Sequence, residues 1–388
     1  MCLELCNSGC IRDLATTNHQ AHRNAALIAI IFNSRTIMAS LWPRRLRDKI
    51  WPEPLPPLGS FNGKTVLVTG ATAGLGLAAA IHFVRFGAVV IITSRSKEQG
   101  QTAKNTIETL TGTIGQGKVH IMQLDMNTYR SCVDFVEELK KSKVCRAGLD
   151  VAVLNAGLIN IDFQKSPQGW EQTIQINTLS TTLLGLLLLD WMTIGERSDA
   201  LARHLVFVTS RDHLLPDISN WEGYSVDGGI LEHFNNESHW PQGSLDPNYC
   251  ESKLMVTYAI EKMCEKVAKA DGGVPVIVNK VCPGLVYSDI GRSISKISWT
   301  MKLFVAFYLS TLGKSTDYGS RLYLSAARTL PHEHGKFLVS LYTDDEYEKL
   351  AEPNLKSETA LRVRELVWGE ILDELKAHVP SLREIRYL

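Results

Sequence analysis

Tyr249 and Lys253, in the run YCESK, put a phenol and an ammonium at positions i and i+4, which share one face of a helix. A nearby ammonium favours phenolate and lowers the tyrosine pKa toward working pH. Such a tyrosine is a general acid or base for a carbinol or carbonyl oxygen. The plainer alternative is a surface tyrosine beside a solvated lysine, and the pair alone does not choose between them. A second stretch, KTVLVTGATAGLG from Lys64 to Gly76, suggests a binding site. Residues 65–69 are β-branched or apolar and read as a buried parallel strand. Gly70 breaks the strand, and Gly74, Leu75 and Gly76 open a run of helical composition. Glycines let backbone approach a pyrophosphate, and the first amides of the helix point at its charge. The spacing is G-x-x-x-G-x-G, not the common G-x-G-x-x-G. A glycine-rich turn with no ligand is the competing reading.

The elements that must position these residues alternate. Strand-like runs fall at 65–69, 88–93, 119–124, 150–154, 204–209, 274–281 and 336–341. Helix-like runs lie between them at 74–86, 97–110, 129–141, 171–190, 249–270 and 317–327. This alternation predicts an α/β fold: one doubly wound, Rossmann-type parallel sheet of about seven strands with helices on both faces. In such a sheet the carboxyl ends of the strands share one edge, where ligands bind. The glycine turn, Asn155-Ala156-Gly157 after the fourth strand, Ser210 ending the fifth, Tyr249 and Lys253 opening the next helix, and Pro283-Gly284 ending the sixth are thereby expected in one crevice.

The chain has 388 residues, with 41 Lys plus Arg against 41 Asp plus Glu, so net charge gives no reason to expect nucleic acid as a partner. Eight cysteines form no C-x-x-C pair, which reads as reduced thiols in a cytoplasmic protein. Cys2, Cys6 and Cys10 read as a chance pattern in a loose tail rather than a metal or lipidation site. No apolar run reaches the ~18 residues of a membrane span. Residues 1–57 read as a poorly ordered, proline-punctuated N-terminal extension, in which Met38 offers a second start. Residues 58–388 form the single domain. It carries an insert at 211–248, a loop at 284–312 and a tail at 357–388, where Leu361, Trp368, Ile371 or Leu372, and Leu375 share a helical face. An unstructured loop as long as the insert is usually functional or disordered. The run 299–312 is apolar on most sides; a core or substrate-lid helix is expected there, ahead of peripheral membrane contact.

On T-G-x-x-x-G-x-G at 69–76, N-A-G at 155–157, Ser210, Y-x-x-x-K at 249–253 and P-G-x-x-x-[ST] at 283–288, residues 58–341 resemble the short-chain dehydrogenase/reductase family. The run VCPGLVYSDIGR, the late GKF and the tail RVRELVWGEILDEL look like its retinol-dehydrogenase-like and fungal secondary-metabolism branches. The resemblance implies that Tyr249 exchanges the proton and Ser210 hydrogen-bonds the substrate oxygen. Lys253 would hold the nicotinamide ribose and depress the Tyr249 pKa, and Asn177 would support a proton-relay water. It also assigns to the cofactor Gly70, Gly74, Leu75 and Gly76, together with Asp125 beside the adenine, Asn155, Val286, and Ser288 at a carboxamide. Two departures stand out. Ser210 to Tyr249 spans 39 positions, longer than is usual in the family, so the insert must loop out and return. Ser288 stands where threonine is commoner.

Cofactor choice falls on TSRSK at 93–97. An NAD enzyme wants a carboxylate about twenty residues past the glycines. Ser94 occupies that place, and Arg95 can fork onto a 2′-phosphate. NADP(H) is expected ahead of NAD(H), with solvent-facing Arg95 as the alternative. The expected function is an NADP(H)-dependent oxidoreductase interconverting an alcohol and a ketone or aldehyde. Aromatic residues in the two long loops suggest an apolar, bulky substrate. The alternative is a non-catalytic dinucleotide-binding sensor or interaction protein. Family members are often dimers or tetramers, so a homo-oligomer is implied, unless the tail blocks the usual contacts.

Overall fold

The computed structural model describes residues 35–194, 202–241, 247–268, 273–286 and 310–387. Cys2, Cys6, Cys10, Ser288 and residues 299–309 lie outside them. A helix α1 (Arg35–Ile50) leads into β1 (Thr65–Val68), α2 (Gly74–Arg85), β2 (Val89–Ser94), α3 (Lys97–Thr111), β3 (Val119–Gln123), α4 (Tyr129–Lys141) and β4 (Val151–Leu154). Next come α5 (Thr181–Thr193), β5 (Arg203–Val208), α6 (Trp221–Val226), α7 (Ile230–Asn235), α8 (Tyr249–Val267) and β6 (Val276–Cys282). The chain ends with α9 (Thr316–Ala326), β7 (Phe337–Val339), α10 (Asp344–Ala351) and α11 (Glu358–His378).

The strands form one seven-stranded sheet in the order β3-β2-β1-β4-β5-β6-β7, every pairing parallel. Strand order reverses between β1 and β4, which opens the crevice. Side chains alternate faces along each strand. Val66 and Val68 pack with Phe83 of α2 and Tyr323 of α9, while Leu67 packs on the opposite face with the cluster that includes Phe135, Leu183, Leu254 and Trp368. Burial on both sides accounts for the near-continuous apolar runs of the inner strands β1, β4 and β6.

Four regions differ from the sequence-based reading. Residues 35–50 form a helix, where only an extended lead was expected. The expected helix 171–190 is divided: Ile174–Ser180 is a π-helical turn, and α5 follows it. The described residues of the insert form α6, α7 and single 3-10 turns over Arg211–Leu214 and Glu237–His239, with Trp221 buried. Its partner is α11: the Glu370 carboxylate accepts the first two amides of α7, Ile230 and Leu231, each at 2.9 Å. Such a cap satisfies amides a helix start leaves open. On α11, Trp368, Ile371, Leu372 and Leu375 are buried as expected, but Leu361 is exposed, and Val363 and Val367 complete the apolar stripe.

Candidate active site

The turn after β1 is wired to the end of β4. Thr69 Oγ1 accepts from the amides of Asn155 and Ala156 at 2.9 and 3.0 Å. Asn155 Nδ2 donates back to the carbonyls of Thr69 at 2.9 Å and Gly70 at 3.3 Å, and the Tyr323 hydroxyl donates to Asn155 Oδ1 at 3.0 Å. Gly76 is tolerated there only as glycine: a Cβ would stand 2.5 Å from Gly70 O and 2.6 Å from Asn155 Nδ2. Asn155 therefore acts chiefly as a brace for the glycine turn. Ala73 caps α2 without a side-chain bond, so the first amides of the helix are left open to a ligand.

Beside this turn lies a pocket of about 420 Å³. Its wall includes Gly70, Gly74, Leu75, Gly76, Arg95, Asp125 and Asn155 from the sequence-predicted set, and Ser94 beside them. Ser94 is buried and its hydroxyl donates to Ser96 O at 2.7 Å, so it is spent on the turn. Arg95 is exposed at the rim. Asp125 Oδ1 accepts from the amide and the side chain of Asn127 at 3.0 and 3.1 Å, which shapes the third strand's exit. Val286 is not on this wall; it bridges to Lys314 beyond β6. An uncapped helix start, a glycine cradle that admits no Cβ and a pocket of this size fit a dinucleotide.

Gly157 joins the pocket to the chemistry. A Cβ on it would lie 3.1 Å from Asn177 Oδ1 and 3.6 Å from Lys253 Nζ. Asn177 sits in the π-helical turn, buried, with Oδ1 accepting from Leu158 N at 3.0 Å. Its Nδ2 reaches Leu158 O at 3.0 Å and Ser252 Oγ at 3.1 Å, which ties α8 to the loop after β4. Thr181 Oγ1 donates to the Ile176 carbonyl at 2.7 Å and helps hold this wide turn, a distortion common at functional sites.

Tyr249 opens α8 immediately after Asn248, whose φ of 58° is left-handed. That strain is held by Asn248 Nδ2, which donates to Phe234 O at 2.8 Å. Lys253 Nζ lies 5.6 Å from the Tyr249 ring centroid and donates to Val208 O at 3.3 Å. Burial pulls the Lys253 pKa down to about 8. Burial likewise pushes the Tyr249 phenol well above its ordinary value, Asp212 adds to the rise, and Ser210 opposes it. Burial thus acts on the Tyr249 phenol in the opposite direction to the ammonium effect expected from the Y-x-x-x-K spacing.

Ser210 follows β5, buried, and caps the turn Arg211–Leu214. Its hydroxyl donates to Asp212 Oδ2 at 2.9 Å. Beneath it His213 is fully buried and neutral, its pKa held down to about 3 by desolvation. Its Nδ1 meets Ser210 O at 2.6 Å and its Nε2 meets the Tyr347 hydroxyl of α10 at 3.1 Å. Because a carbonyl only accepts, Nδ1 carries the hydrogen and Nε2 accepts. Asp212 and His213 were missed in the sequence; their one signal is position, two and three residues past Ser210.

A family model described as short chain dehydrogenase matches residues 64–225. The short-chain dehydrogenase/reductase ffsI of Aspergillus flavipes is 33% identical over 341 residues, 86% of this chain and 92% of that protein. The short-chain dehydrogenase/reductase phmF of Phaeosphaeria nodorum is 31% identical over 350 residues, 88% of this chain and 95% of that one. Among solved structures, a short chain dehydrogenase of Escherichia coli in complex with NADPH aligns at TM-score 0.52 and 20% identity, covering 74% of this chain and 99% of that one. The chain belongs to the short-chain dehydrogenase/reductase family, a family of oxidoreductases that bind NAD or NADP. Among the described residues no helix is long and apolar enough to cross a membrane.

Proposed function

We propose that the protein is an NADP(H)-dependent oxidoreductase that interconverts an alcohol and a ketone or aldehyde on an apolar, bulky small molecule. The observation that carries this reading is the meeting of Ser210, Tyr249 and Lys253 at the carboxyl edge of the sheet, with Gly157 linking them to the glycine-turn pocket. When bound, the reduced nicotinamide supplies a hydride to the carbonyl carbon. Tyr249 gives its proton to the oxygen, and the electrons of its O–H bond remain on the phenolate. Ser210 orients the reacting oxygen. Lys253, protonated below a pKa of about 8, favours the phenolate that this step leaves behind. Asn177 holds α8 against the loop after β4. Gly70, Gly74, Leu75 and Gly76 would hold the cofactor's pyrophosphate at the first amides of α2.

NADP(H) ahead of NAD(H) is supported by Ser94, which leaves no carboxylate at the end of β2, and by Arg95 on the pocket rim. The NADPH in the Escherichia coli neighbour agrees with it. A place in fungal secondary metabolism rests on likeness of sequence. Cys132, Cys145, Cys264 and Cys282, none of them in a disulfide, support a cytoplasmic setting, and family habit supports a homo-oligomer.

NADPH oxidation with a panel of bulky ketones and aldehydes tests the reading. Tyr249→Phe should remove nearly all turnover and leave NADPH binding, followed by nicotinamide fluorescence, mostly intact. Full activity in that variant overturns the mechanism.

A further inference from the structure

Glu171 is fully buried, and its carboxylate is met by four neutral donors. Oε1 accepts from the amide and the hydroxyl of Thr173 at 2.9 and 3.0 Å. Oε2 accepts from the Ile174 amide at 3.2 Å and from Asn248 Nδ2 at 3.4 Å. The Thr173 and Ile174 donors stand at the start of the π-helical turn that carries Asn177. Asn248 is the residue before Tyr249. One buried carboxylate therefore joins the entrances of the two elements that carry Asn177 and Tyr249.

The insert closes this arrangement from the other side. Asn248 Nδ2 also donates to Phe234 O at 2.8 Å, and the Glu171 amide donates to Asn235 Oδ1 at 2.9 Å. Phe234 and Asn235 end α7, the helix whose first amides the Glu370 carboxylate of α11 holds. Among the described residues Asn248 is the one non-glycine residue with left-handed backbone. Such strain persists only where the surroundings hold it. The Asn248 carbonyl accepts from the Ser252 amide at 2.9 Å, so the conformation of Asn248 sets how α8 begins. A carboxylate that merely capped the π-helical turn would need no bond to Asn248.

We propose that Glu171 is a positioning residue for the proton transfer: with the end of α7 it holds Asn248 in its left-handed conformation and thereby fixes Tyr249 at the start of α8 relative to Asn177. The inference rests on the oxidoreductase reading above. It gives the insert a task at the site, since α7 supplies two of the bonds that hold Asn248 and Glu171 together.

The test compares Glu171→Gln and Asn248→Gly in the full chain. Glu171→Gln puts an amide nitrogen among the four donors. Asn248→Gly accepts left-handed backbone without a Cβ and loses both side-chain bonds. Each should lower kcat for carbonyl reduction about tenfold or more, as misplacement of a reacting group does, while Kd for NADPH stays as in the wild type. The double variant should lose no more than the worse single one, because both act on the same bonds. A 3-fluorotyrosine at position 249, read by fluorine NMR, should show a shifted or broadened line in either variant. Wild-type kcat and an unchanged fluorine line in a folded variant overturn the inference, and Asn248→Gly alone decides if Glu171→Gln does not fold. Losses that add in the double variant overturn it too, since Glu171 would then act by another route than Asn248. A changed fluorine line in a protein that reduces no carbonyl compound upholds the hold of Glu171 on Tyr249 and defeats the oxidoreductase reading instead.

Discussion

The carboxylate of Asp48 and the ammonium of Lys314 stand 2.7 Å apart, and both side chains are buried. Asp48 belongs to α1, ahead of the sheet; Lys314 lies just before α9 and bonds the Leu285 carbonyl through its amide. Lys49 donates to the carbonyls of Ser310 and Thr311, and Arg44 pairs with Glu346. The N-terminal helix therefore fastens residues 310–314 beside the turn that leaves β6. Removing one member of a buried pair strands the other charge. Asp48→Ala should cost about 3 kcal/mol or more of stability. The double variant Asp48→Ala, Lys314→Met should regain much of it. Urea unfolding of the three proteins checks this; an Asp48→Ala midpoint equal to that of the wild type would refute it.

Gly76→Ala should damage the cofactor turn. The new methyl would press on Gly70 O and Asn155 Nδ2, both held in a network that cannot give way. Overpacking of this kind costs about 1–3 kcal/mol. The expected result is a lower melting temperature and weak NADPH binding in a titration of nicotinamide fluorescence. Native affinity in the variant would mean the turn is looser than its bonds suggest.

Arg95→Ala should weaken NADPH binding roughly tenfold or more, the worth of a charge-assisted hydrogen bond, and leave NADH nearly unchanged. The added substitution Ser94→Asp should shift preference toward NADH by placing a carboxylate at the ribose. Kd values for both cofactors decide it. Equal losses for NADPH and NADH would remove Arg95 from the 2′-phosphate.

Lys253 gives a signed pH dependence. Its pKa falls from the ordinary 10.5 to about 8 on burial. Between those values the unfolded chain binds a proton that the folded one does not, so this group makes stability rise with pH. Below about 8 both states are protonated and the full burial penalty remains. Lys280, lowered to about 7, acts with the same sign, and buried Cys264, raised to about 12, acts against it. The difference between wild type and Lys253→Met is therefore the measure. That variant should be more stable near neutral pH, with an advantage that shrinks by up to about 1.4 kcal/mol per pH unit above pH 8. An advantage that does not change with pH would refute the assignment.

The sheet was legible because its inner strands are buried on both faces and so read as apolar runs bounded by turn residues, while the edge strands β3 and β7 are only partly buried. The glycine turn, Ser210 and Tyr249–Lys253 were legible because parallel topology sends the ends of the strands to one edge. The π-helical turn at Asn177 was not, since bonds involving Thr181, Leu158 and Ser252 hold it rather than any local propensity.

The residues 65–94 and 249–253 on their own determined the crossover that seats a dinucleotide and the presence of a phenol one helical turn from an ammonium. Only tertiary structure decided the proton affinity of that phenol, because burial depends on what packs around it and a distant pattern cannot report desolvation. It likewise decided that Asp212 stands against Ser210, that α11 clamps the insert and that α1 fastens residues 310–314. Those helix contacts join residues far apart in the chain, such as Arg44 with Glu346 and Ile230 with Glu370, and no local spacing encodes them.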